Sequence, residues 1–450
     1  MKLTHRWGTL SSQKTLRAPD WSILRQRDFV LLWASGGVSN TCRWMEMGVL
    51  GWLVLELTNS PWQVALAGAV RSAPMLAFGL FSGLVADRMN RRLVMLATQT
   101  ANALVTAALL VLLLLDAIRP WQVLLGAFVL GCSTILDMPS RRSLVYDVVG
   151  PHKLVSAMSL ETVNNTVGKF VGPLIGGVLI ELTGFEGVYL FFLVAYLLTL
   201  LLILQLRASN IPSPPAGAQP IWRSLASGVR YALQNRTVLG VLGTTVVMNA
   251  LGFSYVQLLP VVARDHLQIG PGLMGLLASA DGMGTFIGAL ALAAWGNVRQ
   301  KGRIFALGSL LELGSLLAFA LSPWYGLSFM LLMLVGMGNS GFSTMQSTII
   351  LLSAAPGMRG RAVGILGLCI GSTPVGLLEL GAVAALVGAP AAIAFNAAMA
   401  LLLMLPVVAF TPLLLGSVEA EHAAPSPAVG EGRMGVRESS SIRREEGYGS

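Results

Sequence analysis

The sequence predicts an all-α, polytopic membrane protein, with twelve transmembrane helices in two pseudo-symmetric six-helix bundles. Three observations carry this. Apolar residues make up 54% of the 450-residue chain and charged residues only 11%, a balance outside the range of soluble domains. Predominantly apolar stretches of about 20 residues, the length that crosses a bilayer as a helix, recur along the chain. The second half also echoes the first, as paired transport bundles do.

The apolar stretches run 29–57, 62–86, 93–115, 121–143, 156–182 and 187–206, then 237–263, 272–296, 303–322, 325–353, 362–386 and 389–412. Between the sixth and seventh lies 207–236, with Pro212-Ser-Pro-Pro-Ala-Gly217, a composition that reads as a linker between bundles 29–206 and 237–412. Sliding the chain by 210 residues places Ser60-Pro61 on Gly270-Pro271, Asp87 on Asn297 and Arg91 on Lys301. An even number of spans puts both termini on one side. Of the 30 Lys and Arg, all but Arg43, Arg71, Arg119, Lys169 and Arg264 fall in, or within three residues of, the N-terminal segment, the even-to-odd connections and the C-terminal tail. The positive-inside rule therefore makes that side cytoplasmic. Residues 1–28 are basic without an apolar core and read as a cytoplasmic segment, not a cleaved signal. Residues 413–450, rich in Gly, Ser, Glu and Arg, read as a disordered cytoplasmic tail.

A net charge of +9 would point to nucleic acid in a soluble protein. Here the short basic loops explain it, so no nucleic-acid partner is expected. Cys42, Cys132 and Cys369 are scattered through apolar segments and read as small packing residues. With no His/Cys/Asp metal cluster, P-loop or filter sequence, the chain reads as neither enzyme nor channel, and neither cofactor nor metal is expected.

The residues Gly83-Leu-Val-Ala-Asp87-Arg88-Met-Asn-Arg91-Arg92 lie between the second and third spans in the pattern G-x-x-x-D-R-x-x-R-R. Gly83 admits a close helix, Asp87 can meet the positive end of a neighbouring helix, and Arg88, Arg91 and Arg92 hold the turn at the anionic leaflet. The pattern resembles the loop between the second and third helices of major facilitator superfamily transporters, where it implies a cytoplasmic gate, with Asp87 facing the start of the eleventh helix near Arg359 to Ala362. Asn297-Val-Arg-Gln-Lys301 reads as a decayed copy. In the fifth span, Gly168, Gly172, Pro173, Gly176 and Gly177 set small residues at four-residue spacing around a proline bend, with Lys169 inside the run. Spacing alone fits general small-residue packing equally well. The run also resembles the G-x-x-x-G-P-x-x-G-G element of the superfamily's antiporters.

Gly51-Trp-Leu-Val-Leu-Glu-Leu-Thr-Asn-Ser-Pro61, Asp137-Met-Pro-Ser-Arg141 and Ala263-Arg-Asp265-His-Leu-Gln-Ile-Gly-Pro271 resemble a bacterial subfamily that contains enterobactin-type siderophore exporters and macrolide efflux proteins. The resemblance implies a monomeric alternating-access exporter in a bacterial inner membrane. It would move a small amphiphilic molecule of the drug or siderophore class in exchange for protons. A major facilitator importer or lipid flippase would share every motif except the weight placed on Gly168 to Gly177.

Ionisable residues at a helix centre cost on the order of 2.5–3.5 kcal/mol each, so each needs a partner or a wet cavity. The spans retain Arg43, Glu46, Arg71, Glu161, Lys169, Asp281, Glu312 and Glu379. Arg43 and Glu46, three residues apart, either neutralise each other or face a substrate cavity. In the second case Asn249, Tyr255 and Gln257 on the seventh helix and Asn339 and Gln346 on the tenth would be polar neighbours. Glu312 reads as a local inter-helix bond, and Asp137 and Glu161 as part of a closing network near the cytoplasm. In the superfamily's fold the second helix meets the eleventh and the fifth meets the eighth. A rise of 1.5 Å per residue puts Arg71 and Glu379 at matching depths, roughly 24 and 25 Å from the cytoplasmic ends of their helices. Asp281 lies at about 24 Å and Lys169 at about 20 Å, within a lysine's reach. The expectation is two opposite-charge pairs, Arg71 with Glu379 and Lys169 with Asp281, serving as an outer gate or as permanent bridges.

Overall fold

The computed structural model describes residues 21–207, 229–295, 300–354 and 358–410 and, within these, no side chains at 21, 80–88, 359 and 408–410. A short 3-10 helix at Trp21–Arg25 precedes α1 (Arg27–Thr58), α2 (Pro61–Arg88) and α3 (Arg91–Leu114). The stretch Pro120–Leu204 turns at Gly150 and Gly184, where φ is 72° and 70°. That left-handed backbone suits glycine, which has no Cβ to collide. The two turns divide the stretch into α4 (120–149), α5 (151–183) and α6 (185–204). The second bundle comprises α7 (Arg236–His266), α8 (Pro271–Trp295), α9 (Lys301–Ala320), α10 (Tyr325–Ser353), α11 (Gly360–Val387) and α12 (Ala389–Phe410).

Eight of the described helices are long and apolar enough to cross a bilayer, Pro120–Leu204 being one of them. Its two turns give that stretch three passes, and α1 and α2, more polar but 32 and 28 residues long, bring the architecture to the twelve expected. Leu104, Leu114, Leu182, Leu386 and Leu402 stand exposed on the outside, as lipid-facing side chains do.

Three departures from the expected spans have local causes. The connection expected between the fourth and fifth spans is helical up to Gly150-Pro151: the helix continues through Pro139, and the chain turns only where Gly150 takes up its left-handed backbone. In α7, Met248–Gly252 and Val262–His266 are wide turns in which the Phe253 N–H reaches the Met248 carbonyl (2.8 Å) and the Leu267 N–H reaches the Val262 carbonyl (2.9 Å). Pro260, lacking an N–H and crowding the carbonyl four residues back, lies between them. In α11 the helix breaks at Gly371-Ser372, ahead of Pro374. The missing Pro374 N–H would orphan the Ile370 carbonyl, and the Thr373 hydroxyl donates to it instead at 3.1 Å.

The end carrying the α2–α3, α4–α5 and α8–α9 connections is the basic end, and the opposite one the far end. At the basic end the hinge arginines serve the bundle itself. Asn90 caps α3 by accepting from the Leu93 N–H at 3.0 Å. Arg91 pairs with Asp147 on α4, and Arg92 donates to the last carbonyls of α6, Ile203 at 3.3 Å and Leu204 at 2.6 Å. The side chains of Asp87, Arg88 and Arg359, the whole of Asn297 and of 413–450, and most of 1–28 and 207–236 lie outside the described residues.

The two bundles meet toward the far end. A Cβ on Gly51 of α1 would lie 2.9 Å from Pro260 of α7, and one on Gly381 of α11 would press on Ala65 and Trp62 of α2. Gln257 of α7 donates to the Val64 carbonyl at 3.3 Å, and Arg264 reaches the Leu55 carbonyl (3.3 Å) and the Asn59 side chain (2.9 Å). In the basic half of α11, a Cβ added at Gly360, Gly364 or Gly367 would meet no described atom within 4 Å.

Candidate functional site

A cavity of about 170 Å³ runs within the first bundle, from Glu46 and Tyr196 at its depth to Arg142, Met158 and Glu161 toward the basic end. Glu46 is 6% exposed. It receives hydrogen bonds from Arg71 at 3.0 Å and from the Tyr196 hydroxyl. The expected Arg71–Glu379 pair is therefore not formed: Arg71 lies on Glu46, and Glu379 accepts from Asn396 on α12 at 2.8 Å. The depths matched but the helix faces did not. Gly381 faces α2, and Glu379, two residues earlier, is turned about 200° away from it. Arg43 and Glu46 do not neutralise each other directly either. Arg43 donates to Asn165 on α5 at 2.6 Å, while the Trp44 indole donates to the same Asn165 oxygen at 3.2 Å.

Nearer the basic end, Arg141 and Asp137, one helical turn apart on α4, pair at 3.1 Å. Arg141 also donates to Ser35 (2.7 Å) and to the Leu32 carbonyl (3.1 Å) on α1, and Gln99 on α3 donates to Asp137 at 3.2 Å. This network ties α1, α3 and α4 together beside the cavity. Glu161 lines the same cavity.

The polar residues of the second bundle do not share the Arg43–Glu46 cavity among the described residues. Asn249 donates to the Thr245 carbonyl (2.9 Å) within the wide turn of α7, and Gln346 donates to the Thr245 hydroxyl (2.7 Å), joining α10 to α7. Gln257 is spent on the Val64 contact, filling the space beside Gly68. Tyr255 lines a separate, smaller pocket of about 30 Å³ between the bundles, with Trp44, Lys169, Pro173 and Asp281. Asn339 stands beside Glu312. Sequence reasoning took these five polar residues for cavity lining, whereas Asn249 and Gln257 bond to the Thr245 and Val64 carbonyls and Gln346 bonds to the Thr245 hydroxyl. It missed Tyr196, Asn165 and Gln99, whose signal was the same: a polar side chain inside an apolar run.

Between the bundles, Lys169 of α5 and Asp281 of α8 meet at 2.9 Å, with side chains 13% and 12% exposed. Lys169 also donates to the Thr285 hydroxyl at 3.1 Å and lies 5.7 Å from the centre of the Trp44 ring. The surrounding glycine run works on two faces. Gly168, Gly172 and Gly176 press on α1 at Asn40–Thr41, Trp44–Met45 and Met45–Val49. Gly177 presses across the interface, where a Cβ would collide with the Pro271 carbonyl and lie 2.8 Å from Gly275 of α8. Overpacking of this kind costs about 1–3 kcal/mol. Gly177→Leu is therefore expected to depopulate this far-end contact roughly tenfold or more, with membrane insertion unchanged. Cysteine cross-linking between α5 and α8 at the far end checks it; undiminished cross-linking would contradict the contact.

Twelve passes in two bundles that meet at one end, around buried charges and a polar cavity, define a major facilitator transporter. The chain belongs to the transmembrane secretion effector family, whose sequence profile matches residues 18–437. It is 28% identical over 334 residues to the enterobactin exporter EntS of Shigella boydii serotype 18, covering 71% of this chain and 77% of the relative. The enterobactin exporter EntS of Escherichia coli (strain HS) matches to the same extent. In fold it resembles a POT family transporter in complex with 5-aminolevulinic acid (TM-score 0.69, 12% identity, 87% of this chain and 97% of that one). It likewise resembles a bacterial homologue of the human lysosomal transporter Spinster in an inward-facing, unoccupied conformation (TM-score 0.66, 15% identity, 86% and 96%).

Proposed function

We propose that this chain exports a small amphiphilic organic molecule, of the class that includes siderophores and drugs, across a bacterial inner membrane in exchange for protons. The basic end is the cytoplasmic side and carries both termini. The observation that carries this reading is the Lys169–Asp281 bridge, which joins the bundles beside their far-end contact, while a polar cavity extends toward the basic end. This is the arrangement of a carrier closed to the outside. In the cavity Arg43, Arg142 and Glu161 offer both charge signs beside the Trp44 indole, so a substrate is held by several weak contacts. Similarity to enterobactin exporters favours the siderophore class.

Opening the outer side parts Lys169 from Asp281. A carboxylate left alone in a membrane helix costs about 2.5–3.5 kcal/mol, and a proton taken from the outside relieves that cost. On closing, Lys169 displaces the proton. In inside-out vesicles, accumulation of a catecholate siderophore or a lipophilic cation is expected when the lumen is acidified, and is expected to collapse with a protonophore. Accumulation indifferent to the protonophore would remove proton antiport. Net movement out of the vesicle lumen would favour an importer.

A further inference from the structure

Glu312 lies on α9, away from the cavity and from the helices that bring the bundles together. It is 1% exposed. Neither of its carboxylate oxygens has a hydrogen-bond partner at normal distance among the described residues, and the Asn339 side chain of α10 stands beside it. An ionised carboxylate held this way inside a membrane bundle has nothing to balance it, whereas the neutral acid fits. The site is not isolated. Gly336 of α10 packs on the Asp281 carbonyl and Gly338 on the Glu312 backbone, so α10 holds the two acids within one turn of its own length, and Asp281, Lys169 and Tyr255 are the groups whose charges act together with that of Glu312. α10 and α12, the other helices packed against α9, carry no Asp, Glu, Lys, Arg or His. The titratable groups around Glu312 are therefore Asp281, Lys169 and Tyr255.

We propose that Glu312 is a proton-binding site of the second bundle, whose occupancy is set by the Lys169–Asp281 bridge. One cation faces two acids. While Lys169 is bonded to Asp281 at 2.9 Å, it is not free to balance a second negative charge, and Glu312 keeps its proton. The coupling site then consists of two carboxylates, with Glu312 the one that remains protonated while the bridge is closed. This rests on the reading that the bridge is an ion pair that parts during transport.

Infrared spectroscopy of the full-length protein in lipid tests it, through the carbonyl stretch of a protonated carboxylic acid. At neutral pH the band is expected in the wild type, absent in Glu312→Gln and retained in Glu312→Asp. It should also survive in Glu379→Gln, which removes a carboxylate that Asn396 already serves. In Asp281→Asn, Lys169 loses its nearer partner and attracts the remaining carboxylate, so the band is expected to disappear at lower pH than in the wild type. Equal spectra for wild type and Glu312→Gln would show an ionised Glu312 and overturn the proposal. An unshifted titration in Asp281→Asn would overturn the linkage to the bridge. If export in vesicles ignores the pH gradient while the band behaves as stated, antiport fails and the proton site stands.

Discussion

Lys169→Met is expected to abolish uphill export. Lys169 and Asp281 are largely buried and bonded at 2.9 Å, with Thr285 as a second acceptor for the lysine. Removing one partner of such a pair costs about 3–5 kcal/mol, because the other charge is left buried and alone. That is more than about a hundredfold in the population of the closed-outside state. The exchanged pair, Lys169→Asp with Asp281→Lys, should recover part of the activity. The neutral pair, Lys169→Met with Asp281→Leu, should close well yet lose the dependence of transport on the pH gradient, since neither side chain can take the proton. Efflux from cells and accumulation in inside-out vesicles measure all three. Wild-type export by Lys169→Met would refute the role of the bridge.

The second large effect is expected at Arg71, on stability more than on transport direction. Arg71→Met leaves Glu46 at 6% exposure with Tyr196 as its remaining partner, again a cost of about 3–5 kcal/mol. Arg71→Met combined with Glu46→Gln removes both charges and retains the tyrosine contact, so much of the loss should return. A double-mutant cycle on thermal unfolding in detergent reads this directly. Glu379→Gln is the comparison: it should leave Arg71 undisturbed and cost far less. Additive losses for Arg71→Met and Glu46→Gln would rule out the pair.

Much of the architecture was legible in the sequence because span length and loop charge follow from bilayer thickness and the positive-inside rule. α3, α8, α9 and α10 begin and end within about two residues of the expected limits. The irregularities of α7 and α11 were not legible. Pro260 and Pro374 show that a helix will be disturbed, but whether it widens or breaks depends on which neighbour donates to the freed carbonyl. The charged site divides in the same way. Helical rise gives depth, and depth alone put Arg71 level with Glu379. Azimuth decides the contact, and it turned Arg71 to Glu46 and Glu379 to Asn396. Lys169 was set opposite Asp281 by the same depth reasoning, and there the glycines on both helices bring the backbones close enough for the side chains to meet. Glu312, read from sequence as a local inter-helix bond, has Asn339 of α10 beside it, though neither carboxylate oxygen meets a partner at normal hydrogen-bond distance among the described residues.

The central claim is that the Lys169–Asp281 bridge holds the far side shut and must part in each cycle. Spin labels at Leu182→Cys on α5 and Leu273→Cys on α8, both exposed near the far end, report it in a background with Cys42, Cys132 and Cys369 replaced. Pulsed-electron resonance distances in lipid are expected to show one short separation at neutral pH. A second, longer population should appear on acidification and dominate in Asp281→Asn. A single short distance under every condition, unchanged in Asp281→Asn, would contradict the claim.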